Sequence, residues 1–199
     1  MLGIRTACRA SIFWRVRRIE LNVPGDDRTV GFEQTFLPHL GAAYNLARWL
    51  VRNDQDAEEV VQEAYLRAFE AYANFRGQAA KAWLLAIVRN TSFSRLRRAV
   101  TVGEATEFDE EIHTPLAMAS DPESLALAEA ESRQLTAALE ALPEEYREAI
   151  VMRELEEMSY KEIAAVTDVP IGTVMSRLAR ARERLREEMR ARGVKEVRR

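Results

Sequence analysis

The stretch SYKEIAAVTDVPIGTVMSRLARARERLR, from Ser159 to Arg186, specifies the architecture of the C-terminal half of the chain. Ser159 followed by Glu162 is a capping box, which predicts the start of a short helix. After the turn residues TDVP, apolar residues recur every three or four positions: Val174, Leu178, Ala181 and Leu185. This spacing predicts a second helix whose apolar stripe packs on the first helix. The two helices and their turn predict a helix-turn-helix unit.

The other faces of the second helix carry small polar residues near its start and arginines behind them. Its N-terminal hydroxyls and amides can bond DNA phosphates, while Arg177 and Arg180 are long enough to reach either a base edge or a phosphate. A solvated helix with internal ion pairs, such as Arg180 with Glu183, is the alternative explanation of this charge. The capping box, the turn and the apolar stripe favour a recognition helix for the DNA major groove.

Composition predicts an all-α fold of two small helical domains joined by an acidic flexible linker. The 199 residues are 47% hydrophobic and include only 8 Gly and 6 Pro, while helix formers are abundant. The chain has one cysteine, Cys8, so an internal disulfide is excluded. Its two histidines, His39 and His113, lie far apart and form no cluster of ligands, so we expect no metal site and no cofactor. No apolar run reaches the length of about 18 residues needed to span a membrane, and arginines interrupt the N-terminus where a signal peptide is apolar; a cytoplasmic protein is expected.

Charge is distributed unevenly, although the formal net charge is only -3. Residues 81–98 hold five basic residues and no acidic one, and residues 171–199 hold ten basic residues against four acidic ones. Between them, residues 99–143 hold ten acidic residues against one arginine. Two basic surfaces separated by an acidic segment indicate an anionic partner such as nucleic acid.

Helical periodicity and its interruptions divide the chain into segments. The N-terminal segment lacks a clean period and contains the turn signal NVPGDD, which indicates a poorly ordered extension. The first domain is predicted to hold helices near residues 40–51, from the acidic DQDAEE onward, and from about Ala79 through AWLLAIVRN. In order, the segments are the extension (1–30), the first domain (31–98), the linker (99–120), the second domain with its helix-turn-helix (121–192) and the tail (193–199).

The stretch from Ser159 to Arg186 closely resembles the fourth conserved region of the extracytoplasmic-function (ECF) sigma factors of bacterial RNA polymerase, through the pattern V-P-x-G-T-V-x-S-R-x-x-R-A-R. The stretches DAEEVVQEAYLRAFEAYANFRG and AWLLAIVRNTSFSRLRR look like the second conserved region of the same family. The two motifs occur in the family's order and cover about residues 33–190. The resemblance implies a transcription initiation factor that binds core RNA polymerase, directs it to specific promoters and helps to melt them.

The resemblance assigns three sets of binding residues and no catalytic residue. The implied polymerase partner is the core enzyme, with its beta and beta-prime subunits. The set implied to bind a coiled coil on the largest subunit is Asp56, Glu59, Gln62, Glu63 and Leu66. The set implied to bind the minus-10 promoter element is Phe75, Arg76, Arg89, Asn90, Arg95 and Arg98. The set implied to bind the minus-35 element is Lys161, Pro170, Gly172, Thr173, Ser176, Arg177, Arg180 and Arg184. An anti-sigma factor is a further implied partner.

The chemistry of these residues agrees with the implied roles. Gln62 and Leu66 lie four positions apart on a helix, where they can form a polar rim with an apolar anchor. The helix dipole explains acidic residues at a helix start, but it does not explain this pair. An unstacked base needs cations and amide groups, which Arg89 and Asn90 supply, and a ring such as Phe75; Trp83 is expected in the core. The interval from FRG to WL is about one residue shorter than the common family form, which leaves open the base that this loop captures.

Two other classes of function compete with this interpretation. An enzyme finds no support, because the sequence has no Gly-rich phosphate loop, no metal cluster and no recognisable pair of nucleophile and base. A stand-alone helix-turn-helix regulator that binds duplex operator DNA without polymerase is the alternative. The acidic linker has two interpretations: a solvated tether, or, by the resemblance, a segment that threads the polymerase cleft.

Overall fold

The computed structural model describes residues 27–102 and 132–193, and all regular elements within those ranges are helical. The prediction of an all-α fold is therefore confirmed. The predicted N-terminal extension before residue 27, most of the predicted linker, the start of the second domain and the end of the tail lie outside the described residues.

The N-terminal half is built from four α-helices and two short 3₁₀ turns. The α-helices are α1 (Asp27–Phe36), α2 (Leu40–Val51), α3 (Asp54–Ala71) and α4 (Ala80–Val102), and the 3₁₀ turns are Leu37–His39 and Tyr72–Asn74. Arg52 ends α2 in the left-handed conformation, and the Asn53 side chain caps α3 by accepting from the Asp56 amide at 2.8 Å. Gly77, with a φ of 75°, lies between α3 and α4. The last helix continues beyond residue 98, where the sequence predicted the first domain to end.

The C-terminal half begins with a helical segment at residues 132–140 (α5). It continues with α6 (Glu144–Ile150), a π-helical segment (Val151–Leu155), α7 (Tyr160–Thr167) and α8 (Ile171–Ala191). The predicted capping box is present, with Ser159 and Glu162 bonding each other's backbone amides. Asp168, with a φ of 54°, ends α7 and forms the turn that leads into α8. The predicted helix-turn-helix is therefore confirmed.

The two halves pack against each other. Helices α2, α3 and α4 contact one another, and α8 contacts both α6 and α7. Between the halves, α4 lies against α7, and α2 lies against α6. Buried apolar side chains from both halves form one continuous cluster, from Phe32 of α1 to Ala181 of α8. Within residues 27–102 and 132–193, no helix has the length and apolar character needed to cross a membrane.

Candidate functional site

Helix α8 has one buried side and one exposed side. The predicted stripe is inward, since Val174, Leu178 and Ala181 are almost fully buried and Leu185 is half-buried. Of the predicted minus-35 set, six residues are exposed: Lys161, Pro170, Gly172, Ser176, Arg180 and Arg184. Thr173 is half-buried, and its carbonyl accepts from the Ser176 hydroxyl at 2.9 Å. Burying the stripe thus orients a polar and cationic face toward solvent.

Two apolar residues interrupt this exposed face. Ile171 is 46% exposed and Met175 is 54% exposed, one helical turn apart. Neither was among the predicted site residues. Met175 has a signal in the sequence, because it is a large apolar residue next to Ser176 and outside the buried stripe. Ile171 has none, because it lies three positions before Val174 and continues the spacing of the stripe. They add apolar contact area to the first two turns of α8.

The arginines of α8 differ in their surroundings. Arg177 is turned toward α6, with its NH1 3.5 Å from Glu148 Oε1. The Arg184 guanidinium lies over the Tyr146 ring at 5.6 Å. Arg182 pairs with Glu154 at 2.8 Å. Arg180 is exposed on the same face as Ser176. The exposed cation nearest the start of α8 is therefore Arg180.

The structure joins the predicted polymerase-binding set on α3 to two members of the predicted minus-10 set on α4. Arg95 binds Asp56, and its NH1 lies 2.6 Å from Glu59 Oε2. The NH2 group of Arg98 lies 3.3 Å from Glu63 Oε2. Burial lowers the pKa of the Arg95 guanidinium, but its bonds and attraction to the two carboxylates outweigh burial and raise the pKa. These acidic and basic residues form a seam between α3 and α4 that the separate motifs did not predict.

Leu66 is the most distinctive member of the predicted polymerase-binding set. It is 48% exposed on α3, one turn beyond the half-buried Gln62. The carboxylate of Glu63, between them in sequence, also binds Arg67. An exposed leucine surrounded by polar groups is the arrangement of an interface anchor with a polar rim.

The predicted base-capturing residues fall into two groups. Phe75 is half-buried and packs on Phe36 and Trp83, with ring centroids 5.2 Å apart in each case. Trp83 therefore belongs to the aromatic cluster of the first half, as the sequence predicted. Arg76 and Asn90 are exposed, on the loop after α3 and on the surface of α4. The structure thus places Phe75 in the core and leaves these two side chains accessible to a partner.

Arg89 makes the most enclosed ionic contact among the predicted DNA-binding residues. Its Nε lies 2.7 Å from Glu148 Oε2, its NH2 lies 3.2 Å from Glu148 Oε1, and its guanidinium covers the Phe93 ring at 4.5 Å. Glu148 is 1% exposed. Sequence reasoning missed Glu148, because a glutamate on a helix carries no local signal that it is buried.

A shallow depression at the end of α4 brings Arg98 of the predicted minus-10 set together with two cations outside the predicted sets, Arg67 and Arg97. It is lined by Arg67, Ser94, Arg97, Arg98 and Thr101. Arg67 comes from α3 and the others from successive turns of α4, so only packing brings them together. No group of histidine, cysteine and acidic side chains in the described parts of the chain is arranged to hold a metal ion.

Comparison with known proteins identifies both halves. Residues 35–101 match the family model Sigma-70 region 2, and residues 132–185 match Sigma-70, region 4. The chain is 45% identical over 138 residues to the ECF RNA polymerase sigma-E factor of Escherichia coli (strain K12), covering 64% of this chain and 71% of that protein. It is 36% identical over 167 residues to the RNA polymerase sigma-H factor of Pseudomonas aeruginosa, covering 80% and 85%. The sigma factor RpoE of Bartonella quintana, solved in complex with the anti-sigma factor NepR, superposes with a TM-score of 0.65 and 31% identity, covering 80% of this chain and 97% of that one.

Proposed function

This chain belongs to the ECF subfamily of the sigma-70 family of transcription initiation factors, and from that membership we propose how its parts divide the work of initiation. The N-terminal half binds core RNA polymerase and the minus-10 element, and the C-terminal half binds the minus-35 element. The observation that carries this division is the order of the two matched regions along one chain, residues 35–101 before 132–185.

The exposed face of α8 is the proposed minus-35 reader. Ser176 and the first backbone amides suit phosphate oxygens, and Arg180 extends far enough to donate to a guanine edge. Ile171 and Met175 add apolar surface of the kind that contacts thymine methyl groups in the major groove. Arg184 lies further along the helix, where a cation meets the phosphate backbone. Sequence preference is thus assigned to the first three turns, as far as Arg180, and general affinity to the turns behind them.

The surface of α3 around Leu66 is the proposed polymerase contact. Leu66 is exposed and Gln62 lies beside it, so the pair supplies an apolar anchor with a hydrogen-bonding neighbour. Asp56, Glu59 and Glu63 hold Arg95 and Arg98 in place on the adjoining helix. These acidic residues therefore also position the cations that face the minus-10 element.

Asn90 and Arg76 are the proposed contacts to the melted minus-10 strand. Arg76 is exposed on the loop before α4, and Asn90 is exposed in the middle of α4. An amide can bond an unstacked base, and a cation can bond a phosphate of the same strand. Phe75 supports them from the aromatic cluster. The protein has no catalytic step in this scheme, because polymerase performs the chemistry.

Location and regulation follow from the same assignment. A factor that acts with core polymerase and promoter DNA works in the cytoplasm. The superposed sigma factor of Bartonella quintana is bound by an anti-sigma factor, and this chain resembles it over 97% of that protein's length. We extend to this chain a partner of the same class.

A run-off transcription assay tests the proposal. Core RNA polymerase from the source bacterium is combined with the purified chain on genomic promoter fragments, with core enzyme alone as the control. Promoter-specific transcripts that require the chain are the expected result. Tight binding of the isolated chain to duplex DNA, with no transcripts on adding core enzyme, would instead identify a stand-alone helix-turn-helix regulator.

A further inference from the structure

The buried stripe of α8 selects the side of the helix that faces the protein, but it does not fix the rotation of the helix about its axis. Apolar burial is non-directional, so a small rotation changes the buried area of the stripe little. The same rotation moves Ser176 and Arg180, on the exposed side, across the surface that they present to DNA. A directional contact is therefore needed to fix the direction in which these side chains point.

Arg177 of α8 makes such a contact with a buried glutamate. Its NH1 lies 3.5 Å from Oε1 of Glu148, on α6. The Glu148 side chain is 1% exposed, and that of Arg177 is 26% exposed. A carboxylate removed from water requires charged or hydrogen-bonding partners, so a rotation of α8 that withdrew Arg177 would carry an electrostatic cost.

The contact between Glu148 and Arg177 lies within one half of the molecule. Arg89, the other partner of this carboxylate, approaches from α4 of the N-terminal half, at 2.7 and 3.2 Å. Glu148 and Arg177, in contrast, belong to α6 and α8, which pack directly on each other. Arg177 is therefore the partner that ties Glu148 to α8, whatever binds the rest of the carboxylate.

The position of Arg177 around α8 suits orientation of the helix. With about 3.6 residues per turn, Arg177 lies about 70° to one side of the centre of the stripe, whereas Arg180 lies about 130° from it. Arg182 lies about 70° to the other side, where it pairs with Glu154 at 2.8 Å. The side chains of that second pair are 44% and 46% exposed, so solvent screens it and it constrains the helix weakly. The main constraint on rotation thus comes from Glu148.

We propose that Glu148 is a positioning residue for minus-35 recognition, which acts through Arg177 to fix the rotation of α8 and hence the direction of Ser176 and Arg180. Arg177 is held at the border of the buried side, and this role replaces the base contact that the family resemblance implies for it. The inference rests on the proposed function, because it takes the exposed face of α8 as the reader of the minus-35 element.

Holoenzymes with substitutions at the two positions test the inference on DNA. Glu148→Met is close to glutamate in length and removes the acceptor, while Arg177→Met removes the donor. Binding is measured to a panel of minus-35 duplexes that each differ at one base pair. The matched control is Glu154→Met, which removes the exposed carboxylate on the other side of the stripe. If Glu148→Met does not fold, Glu148→Gln, which keeps the shape and removes the charge, takes its place.

The expected result is the same loss for both residues. Glu148→Met and Arg177→Met should each lower discrimination at the preferred base pair by about tenfold, because Arg180 is no longer directed at it. The double variant should lose no more than either single variant, and the control should match the parent. Arg177→Met should leave the salt slope unchanged, whereas loss of a phosphate contact would lower it by about one. Full discrimination in the Glu148 variant, with a loss in Arg177→Met, would overturn the inference and make Arg177 a direct DNA contact.

A measurement on the free chain separates this inference from the proposed function. The urea midpoints of the parent, Glu148→Met, Arg177→Met and the double variant form a double-mutant cycle, in which the contact of Glu148 with Arg89 cancels. The double variant should lower the midpoint by less than the sum of the two single shifts. Additive shifts would overturn the positioning contact whatever the DNA result. Coupled shifts in a chain whose parent holoenzyme shows no minus-35 preference would contradict the proposed function instead, and with it the role of α8 as reader.

Discussion

The two basic helices, α4 and α8, present their arginines in opposite ways. Arg89, Arg95 and Arg98 of α4 all bind carboxylates of neighbouring helices. On α8, Arg180 and Arg184 project from an exposed face, and Arg177 turns back toward Glu148. The difference follows from where the two helices lie. Helix α4 lies between α3 and the C-terminal half, whereas α8 packs on α6 and α7 with one side only. A central basic helix is neutralised by its own protein, whereas a peripheral one is exposed to a partner.

The largest expected effect concerns the buried side of α8, on which its exposed face depends. Leu178→Ala leaves a cavity at a residue that is 1% exposed, so the free energy of unfolding should fall by about 2 to 5 kcal/mol. The control is Met175→Ala, at a residue three positions earlier that is 54% exposed. It should change the free energy of unfolding by less than about 0.5 kcal/mol. Urea denaturation of both variants measures the difference. Equal stability would show that α8 is not oriented by its stripe.

The next effect tests whether α8 reads bases. Arg180→Ala should weaken holoenzyme binding to the minus-35 element by about 1 to 3 kcal/mol and relax preference at one base pair. Arg184→Ala should weaken all sequences alike and reduce the salt slope by about one. Binding to a panel of single-base variants at several salt concentrations distinguishes the two. An Arg180→Ala protein with full affinity and full preference would remove Arg180 from the reader.

The capping box tests how α7 and its turn hold α8 in place. Ser159→Ala removes the hydroxyl that accepts from the Glu162 amide, and should lower the free energy of unfolding by about 0.5 to 2 kcal/mol. The Ser159 hydroxyl, and then the Ser159 backbone amide, donate to the Glu162 carboxylate and lower its pKa. A lowered pKa means that this stabilisation is full above the ordinary value of 4.5 and is lost as pH falls through the lowered value.

Unfolding curves between neutral pH and pH 3 measure this contribution. The difference between Ser159→Ala and the parent should be largest near neutral pH and should shrink in acid. A difference that grows in acid would contradict the assigned sign.

A smaller effect is expected at Asn90, the exposed amide of α4. Asn90→Ala removes one hydrogen bond to an unstacked base, worth about 0.5 to 1.5 kcal/mol, so open complexes should be up to about tenfold fewer. Closed-complex binding should be unchanged, and templates with a preformed bubble should restore much of the loss. Equal loss on duplex and bubble templates would make Asn90 a structural residue.

The smallest effect is expected at Arg98, whose pair with Glu63 lies at the surface. Its side chain is 63% exposed, so Arg98→Ala should change the free energy of unfolding by no more than about 1 kcal/mol. Affinity for minus-10 DNA should nevertheless fall, with a salt slope reduced by about one. A large loss of stability with an unchanged slope would assign Arg98 to structure alone.

Local features of the fold could be predicted from the sequence. The capping box, the turn and the stripe of α8 each depend on residues within a few positions of one another, so their physics is contained in the stretch itself. The same applies to the acidic start of α3, where Asn53 caps the helix and Asp54 and Asp56 occupy its first turn. The family motifs are also local, so the order of residues is enough to recognise them.

Long-range pairing could not be predicted, because packing fixes it. Arg89 and Glu148 are 59 positions apart, and Asn45 and Glu156 are 111 apart. No helical period relates such residues, and a glutamate that will be buried looks in sequence like one that will be solvated. The residue types therefore indicated which side chains are candidates to bind DNA and polymerase. The packing of α4 and α2 against the C-terminal half established which of them are occupied within the protein, because burial makes an unpaired charge costly.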